Sequence, residues 1–513
     1  MSVNEKDSTK HHVDKTLSPS PTSISSEVDD AWTFLDAHRD ANIGDESVDI
    51  LTIRRKIDYR VVPLGFLLYM MQFADKLVLN YAGVMTMRED LNLKGNDFSN
   101  LVTAVYVAVI VWELPTIYLL QRFPVAKYLA INAILWGVST ACGAAATSFG
   151  TMLVTRIFLG IFEATINPSL MLIAGRWYTK PEQAPRISFW LVGLGVGQIL
   201  GGAVSYGFQN LSGGVTIAGW RIMFLTLGLV TVVFGVLTWF FLPDNPMEAK
   251  WLSDKEKVAL LRHISVNQTG VEHRKVRVIE IWEALRDAQV WLIWLGVVLI
   301  ACTGGITVAY SATLIRNMGY TPKQATLLNM PGGLISIASQ LIPGWGVRRG
   351  GHRWAWVLAT LLPAIIGSGL MSFLPPTKRA GVLAGIYLTN FIPGALTVYW
   401  NWAPANVAGA TKRAFVTALI GACSAIGSII GAQSFQARDA PEYRPAKITA
   451  LATQAAGACT TVLLFLWYVW RNRSRALSRG GKEWERETEE AFMNPEVWAR
   501  MTDQENDKFR YNY

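Results

Sequence analysis

Residues 61–84 read VVPLGFLLYMMQFADKLVLNYAGV, and the reading of this stretch decides the architecture. It is longer than the ~20 apolar residues a helix needs to cross a bilayer. Yet Asp75 and Lys76 stand side by side within it. A charge at the bilayer centre costs about 2.5–3.5 kcal/mol on insertion scales, so it persists with a partner or a task. A later apolar stretch, 151–175, carries Arg156, Gly160 and Glu163. The spacing i, i+4, i+7 puts these three on one helix face. Four ionisable groups of mixed sign on two spanning helices imply a polar cavity inside a membrane protein.

Outward from these two stretches, further apolar runs lie at 98–120, 128–147, 187–208, 220–242, 289–313, 324–346, 354–374, 381–402, 413–434 and 447–470. Together they predict an all-α integral membrane protein with twelve transmembrane helices in two six-helix halves. The expected division is a disordered cytoplasmic tail at 1–55, an N-terminal bundle at 56–242, a cytoplasmic central loop at 243–288, a C-terminal bundle at 289–470 and a cytoplasmic tail at 471–513. The opening residues are polar and lack an apolar core. They hold no basic region followed by a short apolar one, so no cleavable signal peptide is expected.

Composition agrees with spans and not with a string of soluble domains. The chain is 51% hydrophobic and 17% charged, with 43 Gly and 20 Trp. Gly is frequent in spanning helices and Trp at membrane interfaces. The net charge of +9 would suggest nucleic acid in a soluble protein. Here it follows from loop asymmetry: with both termini inside, the inner flanks hold about 26 Lys and Arg and the outer loops about 9. No nucleic-acid partner is expected, and both termini are placed in the cytoplasm. The expected residence is the plasma membrane, with an internal membrane as the alternative, and a monomer is expected to suffice.

Cys142, Cys302, Cys423 and Cys459 fall in apolar segments without a CxxC pair, which suits small buried side chains. His11, His12, His38, His263, His273 and His352 all lie outside the spans, so proton coupling would fall to carboxylates. No metal or cofactor motif is visible, and no catalytic constellation suggests an enzyme. The glycine run at 193–202 follows no strand and lacks a Walker lysine, so it reads as close helix packing. Asn210 opens a sequon in an outer loop and is a candidate glycosylation site, whereas the sequon at Asn267 is expected inside.

The charged cluster has two readings. It is a permanent ion-pair network tying the first span to the fourth, or a substrate and proton site. In the second, Lys76 meets an anionic group, Arg156 pairs with Asp75, and Glu163, less well paired, exchanges the proton. Candidate substrate-binding residues are Lys76, Asn80, Arg156, Tyr310 and Asn390; candidate proton-coupling residues are Asp75, Glu163 and Glu113. Glu113 lies toward the inner end of its span, in a vestibule or as a second proton carrier. The C-terminal spans hold no mid-membrane charge and offer polar and aromatic walls.

With these residues in view, the chain resembles the anion:cation symporter family of the major facilitator superfamily, and within it the fungal allantoate permease-like group. The resemblance rests on Arg55-Lys56-Ile57-Asp58, Phe73-Ala74-Asp75-Lys76 with Asn80-Tyr81-Ala82, and Arg156-x3-Gly160-x2-Glu163. It also rests on Gly409-Ala410-Thr411-Lys412-Arg413, Asp439-Ala440-Pro441-Glu442-Tyr443, and 502–506 with Phe509-Arg510-Tyr511. The loop at 344–353 is similar to the superfamily's basic loop but lacks its Asp. The resemblance implies a twelve-helix transporter, usually proton-coupled, for small organic anions. It puts Lys76 on the substrate carboxylate and Asp75 and Glu163 at the acidic proton positions. Many relatives have Arg at position 76, and Lys removes bidentate recognition. Gln198 after Gly197 departs from the Gly-Pro motif of drug antiporters. The expected function is proton-coupled uptake of a small carboxylate, driven by the proton gradient without a cofactor. The alternatives are an exporter or facilitator of an endogenous metabolite and a non-transporting nutrient sensor.

Overall fold

A computed structural model describes residues 49–210, 217–265, 277–375, 377–478, 502–504 and 509–513. Seventeen α-helices and two short 3-10 turns are found among them, and no strand. In chain order the helices are α1 (Ile50–Val84), α2 (Met87–Asp90), α3 (Asp97–Arg122), α4 (Val125–Gly143), α5 (Phe149–Glu163), α6 (Ile166–Trp177), α7 (Lys180–Asn210) and α8 (Gly219–Phe241). Two helices of the central segment follow, α9 (Asp254–Ser265) and α10 (Val278–Arg286). The second half has α11 (Ala288–Asn317), α12 (Pro322–Gly350), α13 (Arg353–Phe373), α14 (Arg379–Thr389), α15 (Ile392–Asn406), α16 (Ala410–Gln433) and α17 (Arg444–Ser478).

Twelve segments are long and apolar enough to span a membrane, with α5–α6 and α14–α15 each forming one broken span. These are the fourth span of each half. The breaks fall at Ala164–Thr165 and at Asn390–Phe391, and Pro168 and Pro393 follow them closely. A proline lacks the N–H that bonds four residues back and crowds that carbonyl, so the helix opens there.

Three segment boundaries differ from the expected division. Residues 50–55, assigned to the first tail, begin α1, because the Asp49 side chain accepts from Leu51 N at 2.9 Å and caps the helix. The central segment is not all loop: α9 packs beside α1 through Lys56 Nζ–Glu256 Oε1 at 2.5 Å, and α10 packs on the start of α16. The last residues return to the bundle, as Arg475 donates to Phe509 O at 2.6 Å and Trp402 donates to Asn512 O at 2.8 Å.

The end where α1 begins and α17 finishes is called the near end here, the other the far end. At the far end the halves are joined by hydrogen bonds. Asn80 donates to Ser311 Oγ at 2.9 Å, Asn329 to Tyr81 Oη at 3.1 Å, and Gln198 to Asn329 O at 3.1 Å. Gln209 donates to Thr326 Oγ1 at 3.0 Å and Gln433 to Thr103 Oγ1 at 2.8 Å. The glycine run of α7 lets backbones meet, as expected. A Cβ at Gly195 would stand 2.5 Å from Gly333 O on α12.

A buried charge cluster as the candidate substrate site

The four charged residues come together, in a pairing other than the expected one. Lys76 Nζ lies 2.8 Å from Glu163 Oε1. The same carboxylate oxygen accepts from Gln72 Nε2 at 3.0 Å. Asp75 turns to α4, where Trp136 Nε1 donates to its Oδ2 at 2.9 Å. Arg156 makes no ion pair among the described residues, and its guanidinium carbon lies 4.8 Å from the centre of the Phe224 ring. Glu163, expected as the less well paired carboxylate, thus holds the direct lysine contact, and Asp75 is not bonded to Arg156. Gly160 lets α5 sit close against α3, where a Cβ would come within 2.5 Å of Val105 O.

Burial makes this arrangement demanding. Asp75, Glu163 and Arg156 are 1–3% exposed. The Lys76 side chain keeps 26% exposure and is the reachable member. Asp75 Oδ1, Glu163 Oε2 and Arg156 Nη2 are buried without a hydrogen-bond partner among the described residues. An orphaned buried polar atom costs about 1–3 kcal/mol, more when charged. Such atoms beside a cavity mark a place that a ligand or water completes. The cavity is lined by Asp75, Lys76, Tyr106 and Arg156 with apolar neighbours, and Val308 of α11 closes it from the second half.

The remaining candidates lie elsewhere. Asn80 and Tyr310 belong to the far-end seal, Tyr310 through a 2.5 Å contact with Ser99 Oγ, and neither lines the cavity. Asn390 caps the broken span, donating to Ile386 O at 2.9 Å, and its amide faces Gly332 and Gln198 at the junction of the halves. Glu113 stands apart on α3, against Gly421 of α16. Asn210 ends α7 exposed, with its amide on Tyr206 O at 3.1 Å; the rest of its sequon and Asn267 lie outside the described residues. Sequence reasoning missed Gln72 and Trp136. Gln72 was findable, since i, i+4 puts it on the Lys76 face. Trp136 was one of 20 tryptophans with nothing to distinguish it.

Glu163 ends α5 and Asn390 caps α14, so the two broken spans place their interruptions at matching points of the two halves. Interrupted helices in corresponding positions are the mark of a transporter's central site. Twelve spans, two halves and a buried polar centre define a multi-pass membrane transporter. The chain belongs to the Major Facilitator Superfamily, whose family model matches residues 65–432. It is 36% identical to the thiamine pathway transporter THI73 of Saccharomyces cerevisiae, over 90% of this chain and 86% of that protein. It is 29% identical to the allantoate permease of the same yeast, over 95% of this chain and 91% of that one. These relatives bear out the likeness to the allantoate permease-like group. Among solved structures, the xylose transporter XylE of E. coli, in a partially occluded inward open conformation, superposes with a TM-score of 0.60. It covers 79% of this chain and 98% of that one at 16% identity, which shows the shared fold.

Proposed function

We propose that this chain is a proton-coupled importer of a small organic anion, working by alternating access around the Lys76 cluster. The observation that carries the reading is the Lys76–Glu163 pair, half open on the lysine side, within a cluster of two acids and two bases. That cluster is neutral as it stands. An anion arriving alone would leave a buried net charge, which is costly in a span. An anion arriving with one proton keeps the balance. The anion takes Lys76, and the released Glu163 takes the proton. Arg156, with an unpartnered Nη2, is the second cation in reach. The likeness to an allantoate permease favours a carboxylate substrate. The loop charges favour cytoplasmic termini, and the plasma membrane is the residence that uptake requires.

The test is uptake of labelled carboxylates, allantoate included, in transporter-deficient cells at acidic and neutral pH. Wild type is expected to accumulate its substrate faster in acid. Lys76→Ala is expected to lose uptake by at least about 100-fold, since it removes the cation that receives the anion, a buried charge contact worth about 2–5 kcal/mol. Glu163→Gln is expected to keep binding and lose the pH dependence. Normal transport by Lys76→Ala at wild-type surface abundance would reduce the cluster to a structural tie between α1 and α5.

A further inference from the structure

Helix α10 of the central segment has a face that the transport site does not use. Its inner face is fixed. Glu280 Oε2 accepts from the backbone N–H groups of Thr411 and Lys412 at 3.0 and 3.1 Å, and Glu283 accepts from Lys412 Nζ at 2.9 Å. The opposite face is bare. Val278 is 60%, Ile279 69% and Trp282 58% exposed. They stand at i, i+1 and i+4, and the half-buried Leu285 and exposed Arg286 continue the stripe.

This face joins the exposed apolar surface of a span. Trp291, in the first turn of the spanning helix α11, donates its indole N–H to Leu285 O at 2.7 Å, and its ring stays 56% exposed. Leu295, one turn further, is 49% exposed. An apolar exposed stripe on a span faces lipid, and tryptophan marks its interfacial end. The bare face of α10 continues that stripe past the end of the span. Arg286 is exposed and makes no ion pair among the described residues. An amphipathic helix with Trp on its apolar face and Arg beside it has the make-up of one lying in the headgroup layer. The free guanidinium selects anionic headgroups.

We propose that α10 lies in the membrane surface, with Val278, Ile279 and Trp282 among the upper acyl carbons and Arg286 on an anionic lipid headgroup. The occupant of this face is the bilayer itself. Because Glu280 and Glu283 hold the first turn of α16, the lipid contact fixes where that helix begins.

The experiment uses the full chain with its four cysteines replaced, Ile279→Cys labelled with a polarity-sensitive fluorophore, and nanodiscs of phosphatidylcholine with or without phosphatidylglycerol. Lys255→Cys, exposed on α9, is the control. The probe at 279 is expected to be quenched by a nitroxide on the upper acyl chain and shielded from aqueous iodide, with the reverse at 255. Phosphatidylglycerol is expected to raise the lipid quenching by about two-fold, and Arg286→Gln to remove the rise. If the probe at 279 behaves as the one at 255, or is shielded from both quenchers, the bilayer is not the occupant. If phosphatidylglycerol and Arg286→Gln change nothing, the anionic contact is overturned. Val278→Cys repeats the reading should Ile279→Cys fold poorly. Nanodiscs carry the same lipid on both faces, and neither position touches the Lys76 cluster. The result is therefore independent of topology and of the transport reading.

Discussion

Glu163 Oε1 receives two donors, Lys76 and Gln72, from successive turns of α1. Gln72 therefore steadies the acceptor that an arriving anion must displace. A hydrogen bond to a charged group is worth about 1.5–3 kcal/mol. Gln72→Leu is expected to lower uptake by about 10-fold at limiting substrate and to lower the melting temperature modestly, by the worth of one such bond; unaltered uptake kinetics would show that Gln72 only fills space. Trp136→Phe is the matching variant on the other acid. It keeps an aromatic ring and removes the indole donor to Asp75 Oδ2, and it is expected to depress transport with a small change in melting temperature. Trp136→Ala would be uninformative, since cavity formation costs about 3–5 kcal/mol on its own. The four charges were legible in the sequence because ionisable groups inside apolar runs are rare. Their pairing was not. It depends on how α1, α4 and α5 pack against one another, which the spacing of charges along each helix does not fix.

Among the elements, two contacts stand out, one between the halves and one that holds the second half together. The first is the contact of α7 with α12 at Gly195 and Gly333, where a Cβ on either would lie 2.5 Å from the other's carbonyl oxygen. Backbone cannot give way as a side chain can. Gly195→Leu is expected to cost about 1–3 kcal/mol or more and to spread the two halves, read as a lower melting temperature and lost transport. The second is Lys412, fully buried, with Glu283, Asp287 and Asp503 at 2.8–2.9 Å. It ties α10, α11 and α16 to the returning C-terminal residues. Lys412→Met would leave three carboxylates without their cation, an expected loss of about 3–5 kcal/mol, seen as poor folded yield. Asp503→Asn leaves two acids on the lysine and should cost less. The reverse order would mean that the tail contact, and not the lysine, carries the clamp. The spans themselves were legible from hydropathy. The breaks were not, because Pro115, Pro331 and Pro363 sit inside unbroken helices, so proline alone does not mark one. The clamp was hidden too: a charged tail at 471–513 gives no sign that Asp503 returns to a lysine 91 positions away.

For the whole molecule, the far-end seal has one chemical character. Every bond described across it joins neutral groups: Asn80 to Ser311, Tyr81 to Asn329, Gln209 to Thr326, Gln433 to Thr103, and Ser99 to Tyr310. No ion pair among the described residues joins the two six-helix halves; those found include the one in the Lys76 cluster and near-end ties such as Arg186–Asp58, Lys56–Glu256 and Lys412–Asp503. Opening the far end therefore separates amides and hydroxyls that water can satisfy, with no buried ion pair to break. Charge enters the cycle through the cavity and not through the seal. A neutral bond has a net worth of about 1 kcal/mol, so each one removed should shift the open-to-closed ratio by about five-fold. Spin labels on cysteines at Glu89 and Lys323, both exposed and one on each half at the far end, would report the ratio as two distances. Tyr81→Phe and Ser311→Ala are each expected to enrich the longer distance, and together to do so about additively. Raising salt from about 0.05 to 0.5 M should leave the ratio unchanged, since screening acts on exposed charges and none bridge the seal. A ratio that moves strongly with salt, or one indifferent to both substitutions, would place the barrier to opening in the ion pairs of the separate halves instead.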